Sequence, residues 1–220
     1  MRLLVAAAAA VACIDASADQ PRKPDMTVFG QALNEPLSIP ECPKNAEPPP
    51  FSAPGTKPTY KLGELTSACY RTRAPVAPDL ENWASAEALD PNGRVWVVFP
   101  AAERPSVLGP KAAAVLMRLL DGRVVSAEWD MGGIDRQERV AQALTEKYGR
   151  PTKAESRSVQ NRMGATFKAV RASWRFPGLQ VEFDPVGSTL DDGAVTIRTD
   201  AAQRLEDQRR EDQKAASRKL

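Results

Sequence analysis

Between residues 94 and 199 apolar and polar positions alternate with a period of two along several short runs, and one run among them has helical spacing instead. Arg94–Phe99 places Val95, Val97 and Phe99 opposite Arg94, Trp96 and Val98, the pattern of a half-buried strand, and Asn92-Gly93 ahead of it is a turn signal. Ala112–Leu120 and Arg123–Asp130 flank Asp121-Gly122, whose residues tolerate positive φ, so the segment predicts a hairpin; the Ala, Leu and Met of its first arm leave a short helix there as the alternative. Over Asp135–Tyr148 the apolar residues Val140, Ala141, Leu144 and Tyr148 recur at helical intervals. Asp135 with Glu138 three residues on predicts an N-terminal capping box, Gly149 a C-terminal cap, and Pro151 forbids continuation.

Four further strands follow: Thr152–Gln160, Ala165–Phe176, Leu179–Phe183 and Ala194–Thr199, with turns at Asn161–Gly164, Pro177-Gly178 and Asp192-Gly193. Leu179, Val181 and Phe183 share one face, as do Val170, Ala172, Trp174 and Phe176, and the stripe of the helix is the natural cover for an apolar sheet face. The expected fold is therefore α+β, an antiparallel sheet covered on one face by a helix, in a helix-plus-sheet domain over residues 111–199.

The ends of the chain read differently. All of the 19 prolines except Pro151, Pro177 and Pro185 lie before residue 111, so residues 19–110 are expected to be loop-rich, with short extended pieces such as Met26–Gly30 and an exposed polyproline stretch at Glu47–Pro50. Residues 200–220 alternate Arg and Lys with Asp and Glu around one large apolar residue, Leu205, and read as a solvated, frayed tail; Glu206 and Arg210 have the i,i+4 spacing of a helical ion pair. Residues 1–18 combine Arg2, an apolar run and the small-x-small end Ala16-Ser17-Ala18, the pattern of an export signal cut before Asp19; the protein is then periplasmic or secreted. Ala10–Cys13 loosely resembles a lipobox, and a lipid anchor on Cys13 is the minority alternative. With Cys13 removed, Cys42 and Cys69 remain, an even number in an oxidising compartment, which predicts a structural disulfide. No later apolar stretch reaches the roughly 20 residues that a transmembrane helix needs.

Composition narrows the chemistry. The chain has 220 residues, a net charge of +2 and no histidine. That removes Ser-His-Asp and Cys-His catalysis and most zinc sites, and no Gly-rich phosphate loop, S-x-x-K or G-x-S-x-G sequence occurs. The balanced charge, without Lys/Arg clusters among aromatics, argues against nucleic acid as a partner; no cofactor and no metal are expected. Glu128 and Asp130, two residues apart on a strand, are a candidate carboxylate pair for glycan hydrolysis, although a solvent-facing strand also accounts for them. Asp191-Asp192-Gly193 lacks the spacing of a calcium loop and reads as a turn. Of the four tryptophans, Trp174 is in the core phase and Trp83 lies in an irregular stretch. Trp96 is out of phase with the aliphatic residues of its strand and Trp129 sits near a strand end, so both are expected at the surface as anchors for a partner.

Gly132-Gly133-Ile134-Asp135-Arg136-Gln137-Glu138-Arg139-Val140, then Leu144, Tyr148-Gly149-Arg150-Pro151 and Trp174, carry a resemblance. The segment is similar to the helix-then-sheet module of β-lactamase-inhibitor-like proteins and of the small outer-membrane lipoproteins of the barrel-assembly machinery. It also resembles exported bacterial proteins that share the Lys-Tyr-Gly-x-Pro turn of Lys147–Pro151. The similarity spans residues 112–199, under half of the chain, and its matched positions are mainly cap and turn residues. It implies non-catalytic binding to protein partners in the periplasm and transfers no binding residue. Together these features predict an exported, non-enzymatic binding protein that holds or inhibits another envelope or periplasmic protein through Trp96 and Trp129. The alternative is a cell-wall glycan hydrolase built on the carboxylate pair.

Overall fold

The computed structural model describes residues 24–45, 59–62, 65–74, 86–110, 112 and 114–217. The export signal with Cys13, the Glu47–Pro50 stretch and Trp83 lie outside these residues. Asp121 and Gly122 take positive φ, 50° and 75°, and fold strand β5 (Val115–Leu120) onto β6 (Arg123–Gly132) as the Asp-Gly pair predicts. β4 (Arg94–Val98) pairs with β5 on its other side, and β3 (Cys69–Arg71) pairs with β4. After the helix come β7 (Lys153–Gln160), β8 (Thr166–Phe176), β9 (Leu179–Asp184) and β10 (Gly193–Thr199), close to the expected strands. Pairing of β10 with both β9 and β6 joins the two groups into one antiparallel sheet of eight strands, ordered β3-β4-β5-β6-β10-β9-β8-β7. The sheet thus crosses residue 110, and two strands from the proline-rich part belong to it.

Alternation places Val95, Val97, Met117, Leu119, Ala127, Met131, Val181, Phe183, Val195 and Ile197 on one face, all buried. Two elements cover it. Helix α1 (Gln137–Tyr148) contributes Val140, Leu144 and Tyr148, and Trp174 donates from Nε1 to the Gly149 carbonyl at 2.8 Å, fixing the end of α1 to β8. The second cover is a small hairpin, β1 (Thr27–Val28) and β2 (Gln31–Ala32), which brings Val28 and Leu33 into the same core. Met26–Gly30 is consequently not one extended piece: Phe29 and Gly30 take φ of 51° and 83° and reverse the chain. The buried Gln31 amide holds the following loop by bonding the carbonyls of Ala32 and Pro36 and accepting from Ser38.

Two terminal features depart from expectation. The capping box of Asp135 and Glu138 does not form. Ile134–Arg136 winds as a 3-10 turn, held by Ile134 N–H to Leu190 O at 2.8 Å and Arg136 N–H to Gly133 O at 3.0 Å, so α1 starts two residues later without a side-chain cap. Gly149 ends α1 as expected, with φ 78° and its N–H on Thr145 O. The charged tail is not frayed over its described length but forms α2 (Asp200–Ser217). Its first part contacts β10 and β6 and buries Ala202; beyond that, side-chain pairs four residues apart, Gln203–Asp207, Glu206–Arg210 and Gln208–Asp212, line the exposed helix.

Cys42 and Cys69 form a disulfide, buried with Tyr60 and Val98, which fastens the loop before residue 45 to β3. With 27 residues between its ends, its removal in a Cys42→Ser/Cys69→Ser variant is expected to cost about 3–4 kcal/mol, read as a lower denaturation midpoint. A second tether joins the N-terminal hairpin to α1: Lys147 Nζ lies 3.3 Å from Asp25 Oδ2 and donates to Thr27 O. Burial pushes the Asp25 carboxyl up, but hydrogen bonds from Thr27 and the Lys147 charge outweigh it, and the net shift is below 3.8. A depressed carboxyl stabilises the fold above its unfolded pKa and loses that contribution as pH falls through the folded one. The melting-temperature deficit of Asp25→Asn is therefore expected at neutral pH and to vanish on acidification below 3.8.

Candidate functional site

The face of the sheet opposite α1 carries the polar members of each strand, and the register aligns them in rows. One row runs Trp96, Leu116, Glu128, Thr196, Glu182, Ser173 and Lys153, each directly opposite the next. Beside it runs a second row of Arg94, Arg118, Ser126, Arg198, Gln180 and Arg175. On the other flank Asp130, Ala194 and Asp184 stand opposite one another. The face is thus zoned, basic along one side and acidic along the other, with Leu116 and Trp96 as its apolar part next to the buried Arg71 of β3, which stands opposite Trp96.

Internal pairs neutralise part of this charge. Arg198 Nη1 lies 2.6 Å from Glu182 Oε2, and Asp184 receives both Arg171 and Arg157. Arg94 instead sits 6.0 Å over the Trp96 ring, a cation–π contact, and directly opposite Arg118. Like charges directly opposite each other in a ladder are destabilising, so folding alone does not favour the Arg94–Arg118 pair. Trp96, Leu116, Glu128, Asp130 and Asp192 border an open hollow of about 370 Å³, and Arg171, Arg175, Glu182 and Asp184 border another of about 340 Å³ on the same face.

Of the two tryptophans expected at the surface, Trp96 is half-buried on this open face. Trp129 is not: it is 5% exposed, and its ring packs edge-on against Phe29 at 5.0 Å. The physical reason is phase. β6 continues to Gly132, so Trp129 lies three positions inside the strand, in step with Ala127 and Met131 on the core side. Among the described residues neither its Nε1 nor the Tyr148 hydroxyl has a hydrogen-bond partner. Both residues border an apolar cleft of about 140 Å³ between the N-terminal hairpin and α1, lined also by Val28, Phe29, Val107 and Leu144. Burial raises the Tyr148 pKa, with the nearby Asp25 charge adding to the effect.

Glu128 and Asp130 do share the open face, and both are exposed, but they stand on a central strand rather than at an edge. Their side chains point out of an open sheet, not into a cleft that would flank a glycosidic bond from two sides. Among the described residues no group of three or more His, Cys, Asp or Glu is placed to hold a metal ion, and no helix is long and apolar enough to cross a membrane. The Cys42–Cys69 disulfide is compatible with an extracytoplasmic location. The arginine row could not be found from the sequence, because Arg94, Arg118, Arg198 and Arg175 lie on four strands and align only once the long-range pairings are known. No family model, curated protein or solved structure matches the chain.

The two tryptophans should separate cleanly by stability. Trp129→Ala is expected to cost about 3–5 kcal/mol, as for other large core truncations, whereas Trp96→Ala is expected to cost about 1 kcal/mol or less. Chemical denaturation of both variants, with the native far-UV spectrum as reference, measures the difference.

Proposed function

We propose that this is a periplasmic, non-enzymatic binding protein that holds another envelope protein on the open face of its sheet, with Trp96 as the aromatic anchor and the adjoining arginine row as the electrostatic guide. The observation that carries the reading is the Trp96–Arg94–Arg118 constellation: a half-buried aromatic beside two arginines set directly opposite each other. Aromatic and arginine side chains are the residues enriched at the energetic centres of protein interfaces. Such a face attracts a partner carrying carboxylates against the basic row and an apolar residue for the Trp96 end. The helix-then-antiparallel-sheet order of residues 137–199 adds support, since the module it resembles serves protein binding. The export pattern read in residues 1–18 supports a partner in the envelope, and Trp129, being core, takes no part in holding it.

Photo-crosslinking from a probe introduced at Leu116, beside Trp96, is expected to join the protein to one envelope protein in cells. Trp96→Ala and Arg118→Glu should each abolish that adduct while leaving the fold intact by circular dichroism. An adduct of undiminished yield in both variants would sink the proposal. The hydrolase alternative has its own readout: release of soluble fragments from purified peptidoglycan by the protein, abolished in Glu128→Gln, would replace the binding reading.

A further inference from the structure

The two ends of the sheet are finished differently. At the β3 end the loop around Glu41 covers the edge: Cys42 N–H donates to Tyr70 O and Tyr70 N–H to Pro40 O, each at 2.8 Å, and Glu41 bridges Tyr70. At the other end, among the described residues, β7 pairs only with β8; seven of its residues are exposed and Val159 is half-buried. It contains no proline and no bulge interrupts its register with β8.

Which backbone groups of β7 point outward follows from its neighbour. On β8, the Lys168 carbonyl and the Val170 N–H face away from β7, for they bond the side-chain amide of Gln137, which stands in for a missing strand there. Arg175 N–H and Ala165 O face β7, bonding Thr152 Oγ1 and Asn161 N–H. Odd-numbered residues of β8 therefore bond β7, and by the antiparallel register so do odd-numbered residues of β7. The N–H and C=O groups of Ala154, Ser156 and Ser158 point out of the sheet. A free edge of this kind is a template for another strand.

The charges on the edge select the strand. Glu155, Ser156 and Arg157 read as opposite charges placed symmetrically about Ser156. In an antiparallel pair of two such strands centred on Ser156, Ser156 faces its own copy and Ala154 faces Ser158. Glu155 then stands opposite Arg157 twice, in the closer, non-hydrogen-bonded positions. The next registers that keep the outward backbone groups paired, two residues away in either direction, set Glu155 opposite Glu155 or Arg157 opposite Arg157. The local charge balance favours the same pairing: Glu155 pairs with Lys153 at 2.5 Å and Asp184 is shared by Arg157 and Arg171, so three cations meet two carboxylates and a second Glu155 would offset the excess. The neighbouring side chains Ala154, Ser156 and Ser158 are small and leave the approach unobstructed.

The geometry points to a two-fold dimer of this protein in which β7 pairs antiparallel with β7 of a second copy, centred on Ser156. About six backbone hydrogen bonds would form between Ala154, Ser156 and Ser158 of the two copies, and one continuous sheet would pass through both molecules. The axis stands normal to the sheet at the seam, so the open faces of the two molecules continue into one another across β7. This inference is independent of the partner proposed for that face.

Sedimentation velocity of the purified protein over a wide concentration range tests it. A concentration-dependent dimer is expected. Ser156→Pro deletes an outward N–H while leaving the bonds to β8 in place, and should yield a monomer with an unchanged melting temperature. Glu155→Arg makes both cross-strand pairs repulsive and should weaken association about tenfold. Mixing Glu155→Arg with Arg157→Glu chains should restore dimers as heterodimers, because both cross-strand pairs between positions 155 and 157 then join an arginine to a glutamate, whereas either variant paired with itself sets like charges opposite at both. A parent protein that stays monomeric throughout, or a dimer that survives Ser156→Pro or Glu155→Arg undiminished, overturns the proposal.

Discussion

The pairing of β6 with β10 is the contact on which the rest of the structure depends. It joins strands some sixty residues apart in the chain, running from Ser126 opposite Arg198 to Gly132 opposite Gly193. Without it there would be two separate four-stranded sheets, each too small to bury its apolar face well. With it, Ala127, Trp129 and Met131 stand beside Val195 and Ile197 in one core. The seam tolerates no slip, because a shift of one residue would turn Trp129 to solvent and bring Glu128 and Asp130 inward. At its far end the backbones nearly touch: a Cβ on Gly109 would lie 2.4 Å from Gly132 N, and one on Gly193 would lie 2.7 Å from Gly132 O. Gly132 also holds φ at 82°, a conformation open to glycine, so three glycines from separate segments are what let the strand end close.

From that seam the two faces acquire separate tasks. One is closed by α1 and the N-terminal hairpin, which Asp25 and Lys147 hold together at the rim. The other gathers arginines from four strands into a single basic margin. An antiparallel sheet with one solvated face can carry such a pattern at little cost, because outward positions contribute little to the core. The same economy explains the bare β7 edge: alternating charges keep an exposed strand from indiscriminate pairing while leaving it able to meet a strand of matching charge order.

The chemistry of the open face is therefore a matter of rows, not of motifs. Arg94, Arg118 and Arg175 are unremarkable one at a time, each an outward residue of an amphipathic strand. Trp96 gains its meaning from Arg94 above its ring and Leu116 across the ladder. Arg94 belongs to the same strand as Trp96, whereas Leu116 and Arg118 reach this corner from the next.

By itself the sequence determined the elements. Period-two alternation, the Asp121-Gly122 turn and the Gly149 cap are local signals, readable because they reflect backbone conformations a few residues wide, and the strands, α1 and the α+β class followed from them. The Cys42–Cys69 bond was legible from parity once Cys13 was assigned to the signal. Only the tertiary structure decided what depended on distant partners. The phase of Trp129 was settled by β6 running on to Gly132, the start of α1 by the bond from Ile134 to Leu190, and the helical state of residues 200–217 by docking of their first turn on β10 and β6. The membership of β3 and β4 in the main sheet, and the arginine row itself, belong to the same group. Each rests on contacts between residues far apart in the chain, where a local pattern specifies which face a side chain takes but not which neighbour it meets.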